Sequence, residues 1–232
     1  MALDGEWEAT AIASLRDPRS DEYDPTIREE LVGYNRRFAA TPDFAPLRPH
    51  LFKALLLTES GGPSNFEWTC RPMQIGNPGD PGYDVLRDHA ENSDVIMSHG
   101  LQRDIAIESI DHPILNIRAG IALVLTKAAH FTCRSELDHT DHRIHTHVVA
   151  DGESLFQISQ EEHTTVQELK ERNPELSKTL RRGQTLSFRR AHMVTEIVGW
   201  RDIDVYFLAS RYNGDGDPEY PFKVSYLLEK LA

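Results

Sequence analysis

Cysteine is scarce in this chain, long apolar runs are missing, and positive charge is in the minority. Cys70 and Cys133 are the only two cysteines in 232 residues, too few for a disulfide framework. The sequence predicts two free, partly buried thiols, with a single bridge as the alternative. No stretch approaches the roughly eighteen consecutive apolar residues of a membrane span, so membrane insertion is not expected. Lys and Arg number 25 against 37 Asp and Glu, for a net charge of −12. That balance argues against nucleic acid as a partner, because phosphate binding needs a basic surface. It also gives no electrostatic pull toward anionic polymers, which would have to be recognised by specific contacts. The opening residues Met1 to Glu8 are acidic and lack the apolar core of a secretory signal. The expectation is a chain that stays inside, leaves by another route, or belongs to a longer protein.

Apolar residues make up 39% and charged residues 27%, ordinary values for a folded chain with a real core. Up to about Asp21 no clear period is visible. Asp24-Pro25 then reads as a helix start, with Asp as N-cap and Pro at the first position. Ile27, Leu31, Tyr34 and Phe38 follow at helical spacing. Three prolines between Thr41 and Pro49 mark a connector. Pro49 opens a helix running to Glu59 that is apolar on nearly every side, as expected of a central buried helix. Ser60-Gly61-Gly62-Pro63 stops it. Residues 60–85 are rich in Gly and Pro and predict a long structured loop, a frequent location of function. A further helix begins at His112-Pro113, with Ile114, Ile117, Ile121 and Leu125 on one face. Gly120 within it suggests close packing of another helix.

Between Asp138 and His147 the chain turns polar, with four histidines. Residues 144–190 then read β-α-α-β: a strand at Ile144–Val149, a turn at Asp151-Gly152, short helices around Leu155–Ile158 and Val166–Leu169, and a strand at Thr185–Phe188. After about Ala191 a helical period returns through Ile197, Trp200, Ile203 or Asp204, and Phe207 to Ser210. Asp217-Pro218 caps a last helix carrying Phe222, Val224, Tyr226 and Leu227.

Glu59 is the first candidate for chemistry. At the C-terminal end of an apolar helix, both burial and the helix dipole disfavour its carboxylate. A carboxyl kept protonated near neutral pH is what a glycosidase needs to donate to a leaving oxygen. Taken alone, a glutamate ending a helix is more often a plain surface residue.

Later motifs change that weighting. Glu59-Ser60-Gly61, Pro72-Met73-Gln74-Ile75-Gly76, Asn116-Ile117-Arg118-Ala119-Gly120 and Arg211-Tyr212-Asn213-Gly214 occur in order. Together they resemble the soluble lytic transglycosylase or goose-type lysozyme-like superfamily, over about residues 48–130 and 192–232. The resemblance implies Glu59 as general acid and base. It implies Ser60, Gln74, Ile75, Tyr212 and Asn213 as substrate-binding residues around it. The usual Gly-Leu before Met-Gln is replaced here by Arg71-Pro72.

Residues 144–190 resemble a LysM module, through His147–Ile158, Leu169–Pro174 and Leu180–Leu186. The resemblance implies binding of N-acetylglucosamine-containing glycans, by the turn at Gly152, Glu153 and Ser154 and the loop at Asn173 and Pro174. A module kept only for packing is the bland alternative.

His139, His142, His145 and His147 have the ligand chemistry for zinc, but a solvated linker is the better reading, and no metal or other cofactor is implied. Glycosidases usually need a second acid. Glu67, Asp80 and Asp84 are the candidates, and sequence alone does not choose among them. Lytic transglycosylases need none, because the sugar's own 6-hydroxyl attacks.

The expected fold is mainly α, a lysozyme-like helical domain in two parts (residues 1–142 and 191–232) with a small α/β LysM insert at 143–190. The expected activity is cleavage of the β-1,4 bond between N-acetylmuramic acid and N-acetylglucosamine in peptidoglycan strands, by a muramidase. The alternatives are a lytic transglycosylase leaving 1,6-anhydro ends and an inactive cell-wall binding protein. Action would be at the bacterial cell wall. The absent signal adds an endolysin or a secreted antibacterial toxin as contexts, the latter with an immunity protein or secretion apparatus as partner.

Overall fold

A computed structural model describes residues 3–176 and 180–232. The chain is mainly α-helical with a small α/β insert, and it divides into two compact units, Met1–Phe131 with Ile197–Ala232, and Thr132–Glu196.

The helical unit is built on α3 (Pro49–Ser60) and α8 (Pro113–Ala128). Helix α3 buries every residue from Leu51 to Leu57, and α8 buries nearly all of its length. Such all-round apolar helices are stable only at the centre of a core. Helix α2 (Asp24–Phe38) lies on both, through the expected Ile27, Leu31, Tyr34 and Phe38. Its start falls one residue earlier than the Asp24 cap reading, with Tyr23 in the cap position. Helix α12 (Tyr220–Leu231) packs along α3. Around α8 sit the short helices α4 (Phe66–Cys70), α5 (Pro81–Arg87), α6 (Ser93–Ile96) and α7 (His99–Ile107). Residues 60–85 are therefore not one long loop but two loops around α4, leading into α5.

Two further readings are corrected. The N-terminal stretch without a visible period is helix α1 (Gly5–Arg16), capped by Asp4, whose side chain accepts from the Glu6 amide at 3.0 Å. It buries only Ala11 and Ser14, and small residues leave no large apolar stripe to read. The segment after Ala191 is not helical: Ala191–Trp200 is strand β4, paired with β1 (Ala129–Leu137). Val194, Thr195, Ile197 and Val198 give it strand character, and the spacing of Ile197, Trp200 and Phe207 is coincidence. Trp200 ends the strand against Phe38 and Phe44, with ring centroids 5.0 and 5.1 Å away, and its indole donates to Thr41 Oγ1. A helix starts only at α11 (Val205–Phe207), which runs into a π turn over Leu208–Tyr212.

The smaller unit contains β2 (His145–Val148), α9 (Leu155–Glu161), α10 (Val166–Arg172) and β3 (Thr185–Phe188), in the expected order. Strands β2 and β3 are antiparallel, with His147 opposite Leu186. Its core is Val149, Ile158, Leu169, Leu186 and Phe188. Ser154 caps α9 in a reciprocal box with Gln157, and Thr165 caps α10 through the Glu168 amide.

Candidate active site and glycan-binding module

Glu59 occupies the last turn of α3. Gly61, in the left-handed region at φ 69°, ends the helix and returns its amide to Leu57 O. The next residue, Gly62 at φ 90°, has no room for a side chain: a Cβ there would stand 2.4 Å from Ser14 Oγ. Ser14 itself donates to Gly61 O at 3.0 Å. The helix α1 that escaped sequence reading therefore holds the turn behind Glu59.

Ser60 faces inward and does not line the cleft beside Glu59. It is buried, its Oγ donates to Leu56 O at 2.7 Å and accepts from the Gly62 amide at 3.1 Å. The side chain closes the helix end, which is a structural reason for Ser in this place.

Glu59 opens into a cleft of about 400 Å³ that is also lined by Gln74, Ile75, Asp80, Tyr212 and Asn213. Most of the residues expected around Glu59 are thus brought together. Asn116, fully buried on α8, holds one wall from behind. Its Oδ1 accepts from the Met73 amide at 2.8 Å, and its Nδ2 donates to Ile75 O at 2.8 Å and Ile110 O at 3.2 Å. One side chain so grips the Met-Gln-Ile strip on both sides of Gln74. Gly120, one α8 turn further, makes room for this strip rather than for a helix: a Cβ there would lie 2.7 Å from Met73. Gln74 has φ 55°, a left-handed conformation that costs energy for a residue with a Cβ. Its amide donates to Arg71 O and accepts from Asn77 Nδ2 at 3.0 Å, keeping one hydrogen and a lone pair for a ligand. Ile75 is nearly all buried and forms floor. Tyr212 ties the opposite side to the strip, its hydroxyl donating to Met73 O at 2.7 Å. Asn213 Oδ1 accepts from the Asp217 amide at 3.1 Å.

The residue that sequence reasoning missed is Tyr220. It opens α12, is buried, and donates its hydroxyl to Glu59 Oε1. Only its place at the start of the last helix, at the end of the Asp217-Pro218 turn, hinted at it. Burial pushes the Glu59 carboxyl up to about 7; the Tyr220 hydrogen bond pulls it down, and the nearby Asp80 charge adds to the rise. Burial likewise drives the Tyr212 hydroxyl far above the usual tyrosine range, with Glu59 and Asp80 contributing. Both tyrosines therefore stay protonated donors.

Of the three candidate second acids, Asp80 alone lines the cleft. Its Oδ2 accepts from the Gly76 amide and its Oδ1 from the Gly82 amide, each at 2.8 Å. Glu67 is exposed on α4, and exposed Asp84 on α5 pairs with Arg87 at 2.8 Å; neither lines the cleft.

In the smaller unit, Gly152 and Pro174 are exposed at the expected turn and loop. The side chains of Glu153, Ser154 and Asn173 are engaged internally. Buried Asn173 donates to Leu169 O and Ser187 O and accepts from the Ser187 amide at 2.8 Å, so it fastens α10 to β3 and is not free for a ligand. Glu153 accepts from the Ala150 amide and meets His147 Nε2 at 2.9 Å, while His147 Nδ1 meets Glu162 at 2.9 Å. The histidine stretch is accordingly less of a solvated linker than its composition suggests. His147 is clasped by two carboxylates, of which Glu153 acts most strongly to raise its pKa, and His145 faces Asp141 at 3.1 Å. Cys70 and Cys133 are both free, Cys70 partly buried and Cys133 exposed.

The LysM domain family matches residues 147–188, which are this module. No curated protein and no solved structure matches the chain. A LysM domain points to association with peptidoglycan and the cell wall. Among the described residues no helix is long and apolar enough to cross a membrane.

Proposed function

We propose that the helical unit is a peptidoglycan glycosidase, with Glu59 as proton donor and then acceptor at the β-1,4 bond between N-acetylmuramic acid and N-acetylglucosamine. The observation that carries this is a carboxyl raised to about 7 by burial, opening into a cleft with a strained Gln74 beside it. A group with a pKa near the working pH is present in both protonation states, as acid-base catalysis requires. The motif order resembling lytic transglycosylases and goose-type lysozymes supports the same role. The LysM module supports the substrate class, since a chain that also carries a peptidoglycan-binding module raises the effective concentration of that polymer.

Two outcomes share this first step. Water attack needs a base on the far side of the sugar, and of the candidate second acids Asp80 is the one that lines the cleft. Both Asp80 oxygens already accept backbone amides, which favours the second outcome, attack by the muramoyl 6-hydroxyl with Glu59 as base. Mass spectrometry of the fragments released from purified peptidoglycan separates them. Reducing ends mean hydrolysis and 1,6-anhydro ends mean transglycosylation. Release of neither by the wild type, or equal release by wild type and Glu59→Gln, would leave a cell-wall binding protein without this activity.

A further inference from the structure

The cleft beside Glu59 also holds two cations that proton transfer does not use. Lys127, on the last turn of α8, and Arg211, in the π turn, both line it. Lys127 Nζ lies 2.6 Å from Glu91 Oε1, with the lysine side chain 23% exposed and the glutamate 48%. Arg211 makes no ion pair among the described residues. The other acids of the cleft are committed elsewhere: Glu59 to Tyr220, and Asp80 to the Gly76 and Gly82 amides.

Glu91 is poorly anchored for a structural partner. It sits in a turn where His89, Glu91 and Asn92 have φ of 55°, 52° and 59°, three left-handed residues without a glycine. Such backbone is costly and recurs where a site is poised to change. A half-exposed ion pair contributes little to stability, so loss of the Glu91 contact is cheap when another carboxylate takes its place.

We propose that Lys127 and Arg211 form a carboxylate-binding subsite, with Glu91 standing in for the ligand's carboxylate until the ligand displaces it. The subsite selects glycans that carry a carboxylate on a sugar substituent over neutral glycans of the same linkage. The choice of a glycan rests on the function proposed for Glu59; the charge preference rests on these three residues. A bound neutral strand would cover the exposed Arg211 guanidinium and give it no charged partner, whereas a carboxylate gains charge-assisted hydrogen bonds from both cations.

Calorimetry on the full chain carrying Glu59→Gln, which blocks turnover, tests this. The probes are soluble peptidoglycan strands with their carboxylates intact, and the same strands with those carboxylates amidated. Intact strands should bind about 5- to 10-fold tighter. Arg211→Gln or Lys127→Met, added singly, should remove most of that preference and leave affinity for amidated strands unchanged. Glu91→Gln should strengthen binding of intact strands, because it removes the competitor for Lys127. The LysM module is the same in every variant, so differences among variants report the cleft. Equal affinity for the two strands, equal losses on both, or weaker binding of intact strands with Glu91→Gln overturns the subsite. Turnover is not part of the measurement. A wild-type chain that cuts nothing while its Glu59→Gln form keeps the preference would sink the glycosidase and retain the subsite.

Discussion

Each unit withdraws one glutamate from water, and the two end in opposite states. Glu168 of the LysM module is 3% exposed and accepts from Arg172 Nε, Arg189 Nε and the Arg189 amide. Burial alone would raise its pKa, but Arg189 and Arg172 together hold it below the ordinary value. Among the described residues Glu59 forms no ion pair. Its partner is the Tyr220 hydroxyl, and its carboxyl rises to about 7. Burial sets the cost of charge in both places; the partner decides whether that cost is offset. A carboxylate offset by two guanidiniums ties a fold together. One left uncompensated beside a cleft has a proton to give.

Glu59→Gln breaks the comparison most directly. Cleavage of peptidoglycan, followed as turbidity and released fragments, should fall about 100- to 10,000-fold. In the wild type, activity should decline as pH rises through about 7, where Glu59 loses the proton it must donate. Stability follows the same group with the opposite benefit to the protein. A folded pKa raised from 4.5 to about 7 means the folded state holds the proton more tightly than the unfolded chain. No penalty exists below 4.5; it grows as pH rises toward 7 and is constant above. The Gln variant should therefore unfold at higher denaturant than the wild type at pH 8, by about 1 to 3 kcal/mol after allowing for partial solvent access, and match it at pH 4.

Asn116→Ala attacks what positions the cleft and not the acid. It removes the groups that hold Met73, Ile75 and Ile110, leaving their buried backbone polar atoms unpaired. A loss of about 3 kcal/mol is expected in denaturant unfolding, with activity reduced while the Glu59 pH limb stays near 7. Glu168→Gln should cost less, about 1 to 2 kcal/mol, because Arg172 and Arg189 are about one-third exposed and solvent screens them. Its pH dependence runs the other way from Glu59. The stabilisation from a lowered pKa is present above the unfolded value and is lost as pH falls through the folded one. Acid unfolding of the wild type should become shallower in the variant, as read by circular dichroism, with no change in the pH dependence of cleavage.

Sequence periodicity made the buried helices legible because α2, α3 and α8 carry large apolar residues at helical spacing, and no other structure buries such a pattern. The LysM module was legible through its β-α-α-β order, the turn at Asp151-Gly152 and the stretches that resemble the family. The misses share a cause. Helix α1 buries Ala11 and Ser14, too small to mark a face. Strand β4 is defined by pairing with β1, a partner more than fifty residues away, which no local window contains. In the cleft, residues inside motifs were legible, while Lys127 and Glu91 reach it, and Tyr220 reaches Glu59, from elements whose packing sets their aim. Ser60 and Asn173 have side chains that satisfy backbone groups which only the folded chain brings near, a use no local reading of the sequence contains.

Tyr220→Phe is the finest test of the comparison, because it changes the partner and leaves the burial. The hydroxyl donates to Glu59 Oε1 and so favours the carboxylate, the same sense in which Arg189 and Arg172 act on Glu168. Removing it should push the Glu59 pKa above about 7, by up to about one unit given the usual strength of a hydrogen bond to a charged group. The alkaline limb of the pH–rate profile should move to higher pH, while the maximum rate changes little. Phe keeps the ring that packs α12 against α3, so unfolding near pH 5, where Glu59 is protonated, should differ by less than about 1 kcal/mol. An unmoved limb would mean that burial alone sets Glu59. A limb shifted to lower pH would mean the hydroxyl favours the protonated acid, and the contrast with Glu168 would then lie in the sign of the partner's effect as well as its size.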